Sequence, residues 1–188
     1  MEQIRTYFEK IAKLSDTDWQ FFLSKLKKQE FKKKAVVLKA GTVENYLSFI
    51  ENGIVRLCIP AEFDDLTFGF AHAGAFVSAY DSFLTQTPSV YHIETVTETV
   101  LWRINYADLQ LVYENTAIGN TIGRGAAEAL FLEKSKRELS LLNDTAEQRY
   151  LNLFAEKPHL FQQIPLKFIA SYIGITPQAL SRIRRRIS

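Results

Sequence analysis

The sequence has only one cysteine, Cys58, among its 188 residues, so no disulfide bond can form within the chain. Low cysteine usage is typical of proteins from reducing compartments. No apolar run is long enough to span a bilayer, and the N-terminus lacks the basic and apolar segments of a signal peptide. We therefore expect a soluble, cytoplasmic protein without a membrane partner.

Histidine is scarce as well, with His72, His92 and His159 as the complete set. A cupin-type metal enzyme, the main enzymatic alternative, usually needs two closely spaced histidines, a glutamate and a third histidine. His72 and His92 are twenty residues apart and have no companion. Neither a Gly-x-Ser-x-Gly elbow nor a glycine-rich phosphate loop occurs. We predict no catalytic residue, no metal site and no cofactor, and we interpret Cys58 as an inert thiol.

Acidic residues are absent from the last 25 residues, although the whole chain has a net charge of only +2. A basic segment without acids favours an anionic partner such as nucleic acid. The basic residues of this stretch are Lys167, Arg182, Arg184, Arg185 and Arg186.

The chain divides into helical and β-rich parts. Residues 1–29 have apolar side chains at helical spacing, and residues 105–157 return to that spacing. Residues 31–104 contain short runs of Val, Ile, Thr, Tyr and Phe separated by turn residues, which predicts a β-sandwich, jelly roll or barrel. Within it, the segment Glu51–Gly53 predicts a hairpin turn because Asn and Gly tolerate positive φ.

A long helical run extends from Ile118 to Leu142 and begins with three glycines in seven residues. Glycine destabilises a helix, so this cluster indicates close approach by another backbone. We predict that the helix forms a dimer interface, with packing inside its own chain as the alternative. The predicted interface residues are Ile118, Ile122, Gly125, Ala129 and Leu132.

Residues 164–186 have the pattern of two short helices joined by a tight turn. Pro165 suits the first turn of a helix, and Gly174 permits the left-handed conformation that ends it. Thr176 and Pro177 suit the start of the next helix. This order of signals predicts a helix-turn-helix.

The second of these helices is predicted to expose side chains that recognise DNA. Gln178 can read adenine, and Arg182 can read guanine. Basic side chains on both helices can bind phosphates. The alternative is a surface helical hairpin with a solvated basic tail. The predicted DNA-binding residues are Lys167, Thr176, Gln178, Ser181, Arg182, Arg184, Arg185 and Arg186.

Three stretches of the chain resemble the Crp/Fnr family of bacterial transcription regulators. Gly41 with Tyr46–Arg56 resembles the family's early barrel hairpin. Phe76–Phe83 followed by Pro88 and Tyr91–Thr97 resembles the segment that cradles a ligand phosphate. Ile164–Arg186 resembles its DNA-reading motif, with Pro177 where some members carry a base-reading arginine.

The resemblance implies an α+β fold. It has N-terminal helices, a β-jelly-roll barrel of the cyclic-nucleotide-binding type, a long dimerisation helix at about residues 116–142 and a C-terminal helix-turn-helix domain. The implied domains are 1–143, the sensor with its dimerisation helix, and 144–188, the DNA-binding domain. Because the sequence ends soon after the second helix, we expect little or no β-wing.

The sequence departs from the family pattern at the residues that bind the effector, the ligand of the sensor domain. Ligand-binding members carry a Gly-Glu pair for the ribose and an arginine for the phosphate, whereas Val77-Ser78 stands near the first feature and no arginine lies between Arg56 and Arg103. An anion buried without such a partner is unfavourable. We therefore predict no cyclic AMP binding, and one cysteine cannot hold an iron–sulfur cluster. A pocket for a neutral or apolar ligand would include Phe76, Val77, Ser78 and Tyr91.

Taken together, the resemblance implies a homodimeric transcription regulator whose partners are double-stranded DNA and RNA polymerase. Two alternatives stay open at this point. One is a small-molecule-binding module with a vestigial helix-turn-helix, and the other is the metal-dependent barrel enzyme considered above.

Overall fold

The computed structural model describes residues 1–187, and the chain begins with two helices. Helix α1 is Glu2–Glu9, and helix α2 is Asp16–Lys25. The Ser15 hydroxyl caps α2 by accepting a hydrogen bond from the Asp18 amide at 3.1 Å. The predicted helical region 1–29 is therefore too long at its end, because a strand begins at Lys27.

Eight strands form two antiparallel sheets of four strands each. The first sheet has the order β1 (Lys27–Phe31), β8 (Thr99–Asn105), β3 (Tyr46–Asn52) and β6 (Phe76–Val77). The second has the order β2 (Val36–Leu38), β7 (His92–Thr95), β4 (Ile54–Ile59) and β5 (Leu66–His72). A short helix, α3 (Tyr80–Thr85), lies between β6 and β7 in the chain.

A buried apolar cluster fills the sandwich, with Ile50 and Leu101 from the first sheet and Val55 and Ile93 from the second. Among residues 1–187 the two sheets stay separate. Of the predicted alternatives, the β region is therefore a sandwich of jelly-roll type, and residues 1–187 do not close it into a barrel.

The predicted hairpin at Glu51–Gly53 is also wrong, because β3 and β4 belong to different sheets. The chain turns a corner there, with Gly53 at a φ of 102°. A Cβ atom at this position would lie 2.5 Å from the Glu98 carbonyl oxygen, where β7 crosses to β8. The Val96 amide donates to the Ile54 carbonyl at 2.7 Å. This hydrogen bond connects the β7–β8 crossing to the start of β4.

Six helices follow the sandwich: α4 (Tyr106–Asn115), α5 (Gly119–Asn143), α6 (Ala146–Glu156), α7 (Leu160–Gln163), α8 (Leu166–Ile173) and α9 (Pro177–Ile187). Two of these helices are capped by side chains, since Asn105 accepts from the Asp108 amide at 2.8 Å and Thr145 forms a capping box with Gln148. In the part of the chain that the structure describes, no helix is both long and apolar enough to cross a membrane.

The glycines of α5 do permit close approach, and their neighbours belong to the same chain. A Cβ on Gly123 would lie 2.9 Å from the Tyr113 ring, and one on Gly125 would lie 2.7 Å from Ile11. The start of α5 therefore packs against α4 and the segment that follows α1.

Helices α8 and α9 are joined by a three-residue turn that the sequence pattern explains. Gly174 has a φ of 79°, and its amide donates to the Ser171 carbonyl at 3.0 Å. Thr176 caps α9 by accepting from the Ala179 amide at 3.2 Å. Four side chains between the two helices are at most 1% exposed, namely Ile169, Ala170, Ile173 and Leu180.

We predict that Gly174→Ala lowers the free energy of unfolding by about 1 kcal/mol, because an alanine Cβ is strained in the left-handed conformation. Chemical denaturation measures this loss. Gly174→Asn is the matched variant, and it should lose less because asparagine adopts this conformation more readily. Equal stability of Gly174→Ala and the native protein would contradict the turn geometry.

Candidate nucleic-acid interface and adjoining groove

One face of α9 carries polar and basic side chains that are exposed to solvent. They are spaced by three or four residues, so they form a continuous stripe on the helix. Leu180 and Ile183 are buried on the opposite face. We call the exposed set the α9 stripe, and its members are Gln178, Ser181, Arg182 and Arg185.

The arginines of α9 differ in their partners. Arg186 forms an ion pair with Glu147 of α6, and Arg184 also interacts within the chain. Arg182 and Arg185 form no ion pair or hydrogen bond with any side chain among residues 1–187. The α9 stripe therefore presents two guanidinium groups to solvent.

The remaining predicted contact residues have local roles in the structure. The Thr176 hydroxyl caps α9, and the Ser181 hydroxyl donates to the Pro177 carbonyl at 3.0 Å. Lys167 Nζ lies 3.3 Å from Asp64 Oδ1, with both side chains more than half exposed. Exposed ion pairs of this kind contribute little to stability, so the lysine can exchange its partner at small cost.

Helix α8 is docked on strand β5 of the sandwich. The Thr67 amide donates to the Ser171 hydroxyl at 2.8 Å, and the rings of Phe70 and Tyr172 are 5.2 Å apart. Sequence reasoning missed this contact, because its partners are about a hundred residues apart and neither carries a local signal.

Two arginines hold the C-terminal end of α8, where backbone carbonyl groups lack partners within the helix. Arg137 of α5 donates to the Tyr172 carbonyl at 2.7 Å, and its guanidinium lies 3.7 Å from the centre of the Tyr172 ring. Arg149 of α6 donates to the Ile173 carbonyl at 2.8 Å. The helix pair is thereby connected to both α5 and α6.

A groove of about 1240 Å³ runs between the sandwich, α5 and α8. Its wall includes all four residues predicted for an effector pocket, Phe76, Val77, Ser78 and Tyr91. Ser78 Oγ donates to the Tyr46 carbonyl at 2.9 Å, and the Tyr91 hydroxyl donates to Asp81. The hydroxyl groups of Ser78 and Tyr91 thus already have hydrogen-bond partners within the chain.

The groove also has cationic groups that sequence reasoning missed. Lys134 and Arg137 of α5 line it, and Lys134 Nζ lies 5.6 Å from the centre of the Phe68 ring. They lie outside the β region that resembles the phosphate-binding segment, on a helix whose placement depends on tertiary packing. Tyr172 and Ile173 of α8 line the same groove.

The predicted dimer-interface residues of α5 lie in two environments. Ile118 and Ile122 pack against the cluster formed by the N-terminal helices and α4, and Gly125 faces Ile11. Ala129 and Leu132, in contrast, are exposed. Further large apolar side chains are exposed on α5, namely Phe131 at 70%, Leu139 at 56% and Leu142 at 76%.

The histidines are distributed over two places. The His72 and His159 rings lie 5.0 Å apart, while His92 Nδ1 accepts from the Ala40 amide at 2.9 Å. Within residues 1–187 no group of three or more His, Cys, Asp or Glu side chains is placed to hold a metal ion.

Comparison with known proteins identifies a domain that part of the chain resembles. Residues 28–116 match the family model of the cyclic nucleotide-binding domain. No curated protein matches the sequence significantly. This region of the chain is therefore similar in sequence to that domain.

Solved structures of transcription regulators share the fold over most of the chain. The c-di-GMP-responsive global regulator CLP of Xanthomonas campestris is 18% identical with a TM-score of 0.69, over 92% of this chain and 91% of CLP. FixK2 of Bradyrhizobium japonicum is 13% identical with a TM-score of 0.72, over 86% and 84%. A protein of Eubacterium rectale assigned to the Crp/Fnr family is 16% identical with a TM-score of 0.68, over 93% and 83%. At these identities the likeness shows the fold alone.

We predict that Cys58 reacts slowly with iodoacetamide in the folded protein. The side chain is fully buried, and burial raises the pKa of its thiol to about 12. Only roughly 1 in 10,000 molecules would then carry a thiolate at pH 8. Mass spectrometry should detect labelling at least about 100-fold slower than in the chain unfolded with guanidinium, which is the control. Similar rates in the two states would contradict the buried environment.

Proposed function

We propose that this protein is a DNA-binding transcription regulator of the Crp/Fnr type. The observation that carries the proposal is the α9 stripe, an acid-free exposed helix face with Arg182 and Arg185 open to solvent. The fold shared with known transcription regulators supports it. In this proposal α8 and α9 form a helix-turn-helix, and residues 144–188 form the DNA-binding domain.

The proposed contacts divide into base and phosphate contacts. Gln178, Ser181 and Arg182 read base edges in the major groove, because their side chains project from one helix face. The positive N-terminus of α9, capped by Thr176, favours a nearby phosphate. The remaining phosphate contacts come from Lys167, Arg184, Arg185 and Arg186.

We predict that Arg182→Ala combined with Arg185→Ala weakens specific DNA binding. A lost base contact costs about 1–3 kcal/mol, so affinity for a selected site should fall at least about fivefold. A duplex library of random sequence is first selected with the native protein, and fluorescence anisotropy then measures affinity for the enriched site. The salt dependence should also weaken by about 0.9 in log–log slope for each phosphate contact removed.

The matched control for this experiment is Lys10→Ala combined with Lys13→Ala, which removes two exposed cations near the N-terminus. This control should keep native affinity. Unchanged affinity of the arginine variant would exclude the α9 stripe from the mechanism. No enrichment of any duplex, together with stabilisation by a small molecule, would favour the alternative of a small-molecule-binding module with a vestigial helix pair.

We also propose that the protein is a homodimer joined along α5. The exposed apolar side chains Phe131, Leu132, Leu139 and Leu142 support this proposal, because a large apolar surface on one helix favours burial against a partner. Ala129 lies on the exposed part of the same helix. Two-fold symmetry would place two α9 helices about 34 Å apart, as successive major grooves require.

We predict that Leu132→Lys combined with Leu139→Lys makes the protein monomeric, because the apolar contact would be replaced by like charges. Sedimentation equilibrium should give twice the 21.6 kDa chain mass for the native protein and a single chain mass for the variant. Phe63→Lys, at a side chain that is 91% exposed outside α5, is the control and should stay dimeric. A native monomer, or a dimer that tolerates both changes, would contradict the proposal.

An effector in the groove would contact the sandwich and α8 together, because Tyr172 and Ile173 line the same space as Phe76. We propose that cyclic AMP is not this effector. Val77-Ser78 supplies no carboxylate for a ribose, and Arg137 in the groove already donates to the Tyr172 carbonyl. The ammonium group of Lys134 is a weaker phosphate partner than a bidentate guanidinium. A contact with RNA polymerase, implied by the resemblance, stays a prediction.

A further inference from the structure

Two of the three histidines meet where the sandwich contacts the C-terminal helices. His72 is the last residue of β5, and His159 directly precedes α7. The centres of their rings lie 5.0 Å apart, and the ring planes meet at 84°. His72 is half-buried and His159 is exposed, so a dissolved ion can reach both rings. We call these two side chains the histidine pair.

The hydrogen bonds of the histidine pair leave ring nitrogens that can bind a metal ion. His72 Nδ1 lies 3.0 Å from the Ala73 carbonyl oxygen. A carbonyl oxygen only accepts, so Nδ1 donates its proton and the lone pair is on Nε2. A backbone carbonyl in this position is a common outer partner of a metal-binding histidine. Within residues 1–187 the His159 ring forms no hydrogen bond, so it can adopt either tautomer.

The spacing of the two rings fits a shared metal ion. Metal–nitrogen bonds of about 2.1 Å at a tetrahedral angle place the centres of two ligating imidazole rings about 5 Å apart. The observed separation of the histidine pair is 5.0 Å. An ion between the rings therefore requires little movement of either backbone.

The charges beside the histidine pair are balanced. Lys157 is two residues from His159, and its Nζ lies 3.6 Å from Glu133 Oε1 of α5. The neighbouring acid, Glu156, lines the groove together with His72. Because the nearby lysine already has an acidic partner, it does not strongly oppose a divalent cation at the pair.

We propose that the histidine pair binds one divalent transition-metal ion, with water completing its coordination. Imidazole suits Ni²⁺, Cu²⁺ and Zn²⁺, whereas Mg²⁺ prefers oxygen ligands. The inference goes beyond the proposed function and does not depend on DNA binding. His72 belongs to the sandwich and His159 to the C-terminal region, so the bound ion links β5 to the segment that leads into α8. Sequence spacing could not indicate this pair, because its members come from distant parts of the chain.

The test is isothermal titration calorimetry of the full chain, without a polyhistidine tag, against NiCl₂. Native protein should bind one Ni²⁺ per chain, and MgCl₂ should give no binding. His72→Gln and His159→Gln should each weaken Ni²⁺ binding at least about tenfold, because the second imidazole no longer acts within the same molecule. The matched control is His92→Gln, which removes the third histidine and should keep native affinity.

Thermal unfolding gives a second readout. NiCl₂ should raise the unfolding midpoint of the native protein and of His92→Gln, because an ion that binds only the folded state stabilises it. The midpoints of His72→Gln and His159→Gln should not change, and EDTA should reverse the native shift. Circular dichroism without metal should show the same fold for all four proteins, and His159→Gln, at an exposed position, keeps the test valid if His72→Gln unfolds.

Three results would overturn the inference and leave the proposed function untouched. The first is an absence of Ni²⁺ binding to the native protein. The second is Ni²⁺ binding that keeps native affinity in His72→Gln and His159→Gln. The third is an equal loss of binding in His92→Gln, which would place the ion elsewhere.

Discussion

Arg56 is a buried cation that connects the sandwich to α8, the helix against which α9 packs. Its side chain is only 5% exposed, and it pairs with Asp65 at 2.9 Å and Glu94 at 3.3 Å. Its guanidinium also lies 4.0 Å from the centre of the Phe168 ring of α8. A buried charge is tolerated only with such partners. Because the acids belong to the sandwich and the ring belongs to α8, the same interaction satisfies the arginine and orients the helix pair.

The groove, α5 and the helix pair form one connected unit around this contact. Arg137 joins α5 to the end of α8, and it lines the groove together with Tyr172. A molecule that enters the groove therefore meets the same side chains that position α8. Tyr172 and Ile173 of α8 line the groove, and α8 packs against α9, so the two proposed sites are connected through one helix.

Features that depend on neighbouring residues could be predicted from the sequence. Strands β2 to β7 lie within the predicted β-rich region, residues 31–104, and the turn at Gly174 has the predicted left-handed conformation. Both follow from local rules of side-chain shape and backbone freedom. The buried positions of α8 and α9 follow equally from helical spacing.

Features that depend on distant residues could not be predicted in this way. Gly53 has the composition of a hairpin turn, but only the strand pairing reveals that it stands at a corner between sheets. The predicted helical region 1–29 includes the first residues of β1, whose lysines fit a helix as well as a strand, and only the pairing with β8 makes this segment an edge strand. The cations of the groove, likewise, come from an element outside the segment that resembles a ligand cradle.

Burial separates two roles of arginine in this chain. Arg103 is buried, lies 3.8 Å from the carboxylate of Glu44 and donates to Ser48 at 3.2 Å. Burial lowers the pKa of Arg103 and raises the pKa of Glu44, and the attraction between the two groups opposes both shifts. Arg182 and Arg185 have no such partner among residues 1–187 and keep their hydration instead. Arg103 is paired with an acid inside the sandwich and stabilises the fold. Arg182 and Arg185, the arginines of the α9 stripe, are therefore available to bind an external anion.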